Sequence, residues 1–135
     1  MDLNGFSDPY CKMQIIGDRT FTNSSIKYET LSPYWDEKFK FILTNYETDI
    51  FKLDLMDKDK ISDDLIGSVN LQVNQYKIDK VYRKWIKVQN KGKKTGLIKV
   101  QITVKKMSYE QPFIEEIIGE KRILLQVING ELIYI

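Results

Sequence analysis

The chain has 135 residues, 42% hydrophobic and 30% charged, with a formal net charge of +2. That is the length of one domain with one core, and scattered lysines at near-neutral balance make no case for nucleic acid. Histidine is absent and Cys11 is the single cysteine, which excludes Ser-His-Asp and Cys-His catalysis, histidine zinc sites and an internal disulfide, and suits a reducing compartment. The first ten residues are largely polar, unlike a signal peptide. The apolar stretch at 123–135 is interrupted by Gln126, Asn129, Gly130 and Glu131 and is too short to span a bilayer.

Eight Tyr, six Phe and two Trp, with many Ile, Val and Thr, favour strands. Residues 1–9 open as a loop, with a turn signal at Asn4-Gly5 and Pro9 suited to the first position of a strand. Strands are expected at 10–16, 19–28, 35–43 and 50–56. In the third, Trp35, Glu37, Phe39 and Phe41 take one face and Lys38 and Lys40 the other. In the fourth, Phe51, Leu53 and Leu55 oppose Lys52 and Asp54. Residues 65–73 read as strand, 76–83 as ambiguous with a helical turn, 84–89 as a short strand and 90–94 as a basic turn. Residues 96–105 alternate through Ile98, Val100, Ile102 and Val104. Short strands separated by regular turn signals indicate an all-β, antiparallel sandwich. Residues 107–122 break the pattern and read as a linker or a short edge strand. Residues 123–135 return to strand around an Asn129-Gly130 turn.

One stretch carries chemistry. From Leu53 to Gly67 the chain leaves an alternating strand, passes Asp57, Asp59, Asp63 and Asp64, and re-enters an apolar run. Asp57 and Asp59 lie two apart and face the same side of a strand end, with Lys58 and Lys60 pointing away. Converging carboxylates repel one another, and a hard divalent cation relieves that repulsion. Calcium, with six to eight oxygen ligands in flexible geometry, suits the set best. A solvated acidic turn is the other reading of the same residues.

Three motifs taken together resemble the C2 domain, the calcium-dependent lipid-binding β-sandwich of synaptotagmin and protein kinase C type. The first is Asp2-Leu3-Asn4-Gly5-Phe6-Ser7-Asp8-Pro9-Tyr10, which matches the family's first calcium loop. The second is Thr30-Leu31-Ser32-Pro33-Tyr34-Trp35-Asp36-Glu37, and the third is Asp57-Lys58-Asp59 followed by Asp63-Asp64-Leu65-Ile66-Gly67. The resemblance covers residues 1–105 and implies an eight-stranded Greek-key sandwich with a C2-like core at 1–106. The third loop is about one residue shorter than the commonest form, so either Asp63 or Asp64 matches the family's last ligand. The family's strand before the first calcium loop is missing from its usual place. Its pattern reappears at Leu124-Leu125-Gln126-Val127-Ile128-Asn129-Gly130-Glu131-Leu132. The fold is therefore expected to be circularly permuted, or the chain to be one unit of a tandem array. In either case 123–135 completes the sandwich, within its own chain or swapped into a neighbouring copy, since a missing core strand would leave unpaired edges.

The resemblance further implies Ca2+ held by Asp2, Asp8, Asp57, Asp59 and Asp63 or Asp64, with the backbone carbonyl of Lys58. Leu3, Phe6 and Ile61 would reach a membrane between these ligands. The expected function is calcium-dependent, peripheral binding to anionic phospholipid membranes by a cytoplasmic, non-enzymatic module of signalling or membrane trafficking. The alternative is a calcium-independent protein-interaction scaffold of the same fold. A basic face through Lys12, Lys27, Lys38 and Lys40 reads as a phosphoinositide surface or as a solvated strand face. Trp35 and Trp85 read as core or edge aromatics, and Tyr10 and Tyr34 carry no functional signal of their own.

Overall fold

A computed structural model describes residues 7–106 and 121–132, the side chains of 121–123 excepted. Eight strands run in the order β1 (Pro9–Ile15), β2 (Thr22–Asn23), β3 (Tyr34–Leu43), β4 (Ile50–Asp57), β5 (Asp64–Gln72), β6 (Val81–Asn90), β7 (Lys93–Lys106) and β8 (Lys121–Leu132). One 3-10 turn, Val73–Gln75, follows β5. All strand pairings are antiparallel, in the spatial order β2-β1-β4-β5-β6-β7-β8-β3. Only one residue pair, Ser68 with Gln89, joins β5 to β6. There the ladder folds over, giving a β2-β1-β4-β5 sheet packed on a β6-β7-β8-β3 sheet.

Alternation decides what lies between them. Met13, Leu53 and Leu55 point inward from one sheet, and Ile98, Ile102 and Val127 from the other, all at 2% exposure or less. Phe41 of β3 meets Phe51 of β4 edge-on, with ring centroids 5.2 Å apart. Gly67 stands where β5 passes to β6. A Cβ there would lie 2.9 Å from the Gln89 carbonyl oxygen and collide with Thr95 Oγ1, so only glycine permits the approach.

β8 lies between β7 and β3 of its own chain, paired with β7 from Gly96–Leu132 to Lys106–Lys121 and with β3 from Tyr34–Asn129 to Leu43–Lys121. It starts at Lys121, so Lys121 and Arg122 belong to the strand and not to a linker. Residues 107–120 lie outside the described residues.

The second strand is much shorter than the 19–28 expected, at two residues. Ser24 ends its regular ladder: its hydroxyl accepts the Cys11 N–H at 2.8 Å while its own N–H donates to the Cys11 carbonyl at 2.8 Å. A side chain thereby replaces a backbone acceptor. The helical turn comes before 76 instead of within 76–83, and β6 begins three residues earlier than expected. The four lysines grouped as one basic face do not share one. Lys12 is on β1, its ammonium 4.0 Å from the Phe21 ring centroid, whereas Lys38 and Lys40 project from β3 on the other sheet. Trp35 is buried in the core at 4% exposure, while Trp85 stands on the outer face of β6 at 41%.

Candidate functional site

Three segments meet at one end of the sandwich. Asp8 precedes β1, Asp57 ends β4, and Asp64 begins β5 directly opposite Asp57. Pro9 pairs with Asp57 from the other side, so Asp57 is flanked on both edges and is 4% exposed. Hydrogen bonds from the backbone tie the segments together. The Asp8 N–H donates to Asp57 Oδ1 at 2.9 Å, and the Lys58 N–H to the Asp8 carbonyl at 3.0 Å. The Glu29 N–H donates to Asp8 Oδ1 at 2.7 Å. A buried carboxylate is tolerated where N–H groups replace its water, and these bonds tie the Asp57 carboxylate to the backbone of Asp8, 49 residues away in sequence.

Asp63 is held differently. Tyr10, on β1, donates its hydroxyl to Asp63 Oδ2 at 2.5 Å. The Asp59 N–H donates to Asp63 Oδ1 at 3.0 Å, and the Lys58 ammonium lies 3.6 Å from the same oxygen. The Tyr10 hydroxyl foremost, then the Asp59 N–H, hold the Asp63 carboxyl below its ordinary range. Burial, and after it the Asp63 carboxylate, push the Tyr10 hydroxyl from 10.0 up to about 12. The third loop is thus fastened onto β1 by a tyrosine that the sequence alone gave no reason to single out. The usable signal was the Pro9-Tyr10 pair entering β1 beside the aspartates, and its partner, 53 residues away, could not be read from one sequence.

The expected alternation stops short of Asp59. β4 ends at Asp57, the pleat ends with it, and Lys58 does not point away: its ammonium turns back to Asp63. Asp59 is exposed, with its Oδ1 accepting the Lys60 N–H at 2.6 Å. Ile61, between Asp59 and Asp63, is 97% exposed. Asp2, Leu3 and Phe6 lie outside the described residues.

The donor set fits a hard cation in kind: carboxylate and carbonyl oxygens, with no imidazole and no accessible thiol, since Cys11 is buried. Among the described residues no three acidic, histidine or cysteine side chains close on one point.

Comparison with known proteins then places the chain. The C2 domain family profile matches residues 1–88. The chain belongs to the C2 domain family. This C2 domain is 33% identical over 104 residues to the C2 domain-containing protein At1g53590 of Arabidopsis thaliana, covering 76% of this chain and 13% of that protein. It is 33% identical over 85 residues to human extended synaptotagmin-3, covering 63% of this chain and 9% of that protein. A C2 domain of plant extended synaptotagmin 1 superposes with a TM-score of 0.66 at 18% identity, over 93% of this chain and 80% of that one, which shows a shared fold. The chain thus spans about a tenth of the curated relatives it matches.

Proposed function

We propose that this C2 domain binds anionic phospholipid membranes through its aspartate end in a calcium-dependent manner. The observation that carries the reading is the meeting of Asp8, Asp57 and Asp64 from three segments, bonded or paired through the backbone. Asp2, Asp8, Asp57, Asp59 and Asp64, with the Lys58 backbone carbonyl, would hold calcium. Asp63 is the aspartate already committed, to Tyr10 and the Asp59 N–H. Asp64, opposite Asp57, is therefore assigned as the last ligand and Asp63 as a positioning residue.

Bound calcium supplies positive charge and open coordination positions for lipid phosphate or carboxylate oxygens. The rest belongs to the chain. Without a cation, the carboxylates at this end repel an anionic leaflet. Once neutralised, the same end is free to approach it. Ile61, together with Leu3 and Phe6, would then enter the interface. No charge has to move far, because the backbone bonds already hold the loops. The module acts by binding, not catalysis, is cytoplasmic when free, and brings a longer protein to the membrane.

The test is sedimentation with phosphatidylserine-containing vesicles in calcium and in excess chelator, at low and high salt. Calcium-dependent pelleting that weakens with salt is expected. No pelleting in either would overturn the reading and leave the calcium-independent interaction scaffold in its place, and equal pelleting in calcium and chelator would overturn its calcium dependence.

A further inference from the structure

The outer face of the β6-β7-β8-β3 sheet carries a groove of 530 Å3, within the range of ligand-binding clefts. It lies on the opposite sheet from Lys12 and uses none of the aspartates of the proposed calcium site. Register builds it. Lys40 of β3 stands beside Leu124 of β8, then Thr103 of β7, then Val81 of β6. The next row runs Lys38, Gln126, Gln101, Arg83. Lys105 lines the groove two residues beyond Thr103. Strands lie about 4.8 Å apart, so Lys40 and Thr103 are separated by roughly 10 Å across Leu124.

Two properties coincide there. Lys38, Lys40 and Lys105 are exposed and make no ion pair with another described residue, and Arg83 adds to their charge. Against them the groove has Asp79 at its margin, and Asp36 nearby accepts the Gln126 side-chain amide at 2.5 Å. Apolar surface is part of it and adjoins it: Leu124 and Val81, the latter 58% exposed, line the groove, and Ile42 of β3 at 55% and Trp85 of β6 at 41% stand one row beyond Lys40 and Arg83. A strongly hydrated headgroup would use the lysines and leave the apolar surface open to water. A segment with both carboxylates and apolar side chains answers both, and Gln101 and Thr103 offer its backbone hydrogen bonds.

We propose that this groove docks an acidic, amphipathic peptide segment of a partner protein, independently of calcium. The experiment is selection of a random dodecapeptide library on the whole folded chain in chelator, followed by solution affinity measurements on the enriched peptides. Enrichment of sequences combining Glu or Asp with large apolar residues is expected. Their affinity should fall at least about tenfold in Lys38→Glu/Lys40→Glu and, separately, in Lys105→Glu, and should weaken with salt. All three positions are exposed on strands, so unchanged thermal melting of these variants is the folding control. Asp57→Asn should leave peptide affinity unchanged, which keeps this proposal separable from the membrane reading. No enrichment, enriched peptides without acidic residues, or equal affinity for the charge-reversed variants would overturn it. So would calcium-free pelleting on polyphosphoinositide vesicles that is lost in the same variants, since the groove would then belong to a lipid headgroup.

Discussion

The aspartate end and the basic groove are opposite solutions to holding like charges together. At the aspartate end the charges sit where strands stop, and hydrogen bonds from backbone N–H groups and Tyr10 fix them: Asp8 to Asp57, Glu29 to Asp8, Tyr10 and Asp59 to Asp63. In the groove the charges stand on paired strands, and the ladders β3-β8-β7-β6 set their spacing without any bond to the ammonium groups themselves. Carboxylates gathered by short bonds gain from a guest cation. Lysines on long, flexible stems can keep apart in water and need none. The first site, as proposed, would therefore be conditional on calcium and the second would not, and perturbations should separate them.

The largest effect should come from removing what both share. β8 is paired along both edges and contributes Leu125, Val127, Ile128 and Leu132, each no more than 7% exposed. Truncation after Lys106 should leave no cooperative thermal transition and neither binding activity, because two strands lose a neighbour and the core loses one wall. A truncated chain with unchanged melting would show that the strand contributes nothing to the fold. Next comes Asp57→Asn with Asp59→Asn. Calcium-dependent pelleting should disappear, while melting in chelator should stay equal or rise, since carboxylate repulsion is relieved and an amide oxygen can still accept the Asp8 N–H. Retained calcium-dependent pelleting in this pair would move the site elsewhere.

Gly67→Ala tests the joint between the two sheets. The added methyl meets Thr95 Oγ1, Val88 Cγ1 at 2.8 Å and the Gln89 carbonyl oxygen at 2.9 Å, and backbone cannot step aside cheaply. A loss of about 1–3 kcal/mol in urea unfolding is expected. The aspartate end should suffer more than the groove, because Asp64 opens the strand that would be displaced, whereas the groove is built on β3, β8, β7 and β6. Equal losses at both sites would mean that the sheets move as one body.

Much of this contrast was legible in the sequence, but unevenly. Strand alternation put Phe39 and Phe41 against Lys38 and Lys40 correctly, because a period of two is a local property. The aspartates were legible for the same reason, being clustered in the chain. The return of a strand pattern at 124–132 pointed to a missing neighbour before any pairing was known. What escaped was whatever depends on partners far apart in sequence. Tyr10 and Asp63 are 53 residues apart, and the groove draws on four strands whose order, β6-β7-β8-β3, is not sequential. One sequence cannot sort outward lysines between sheets, and only the sheet order separates Lys12 on β1 from Lys38 and Lys40 on β3. Lys58 defied its alternation because the ladder ends one residue before it.

The smallest effect is the most diagnostic of how the third loop is fastened. Folding raises the Tyr10 hydroxyl from 10.0 to about 12, so the folded chain holds that proton more tightly than the unfolded one. The resulting stability is fully present below pH 10 and is lost as pH climbs through about 12. The Asp63 carboxyl is lowered from 3.8, so its contribution is present above that value and is lost as pH falls through the lower, folded one. Two variants divide these limbs. Tyr10→Phe should flatten the alkaline fall and, by removing the foremost cause of the Asp63 shift, shrink the acid one. Asp63→Asn should abolish its own acid limb yet keep the part of the alkaline fall that burial supplies, burial being the largest single cause of the Tyr10 shift. Urea midpoints of both variants against the parent, followed across pH in chelator, measure the difference, and the buried Cys11 thiol, common to all three, cancels. If Asp63→Asn erased the alkaline limb as fully as Tyr10→Phe, the carboxylate and not burial would control the tyrosine. If Tyr10→Phe left both limbs intact, the bond between β1 and the third loop would not exist in solution, and Asp63 would compete again with Asp64 for the last place in the proposed calcium site.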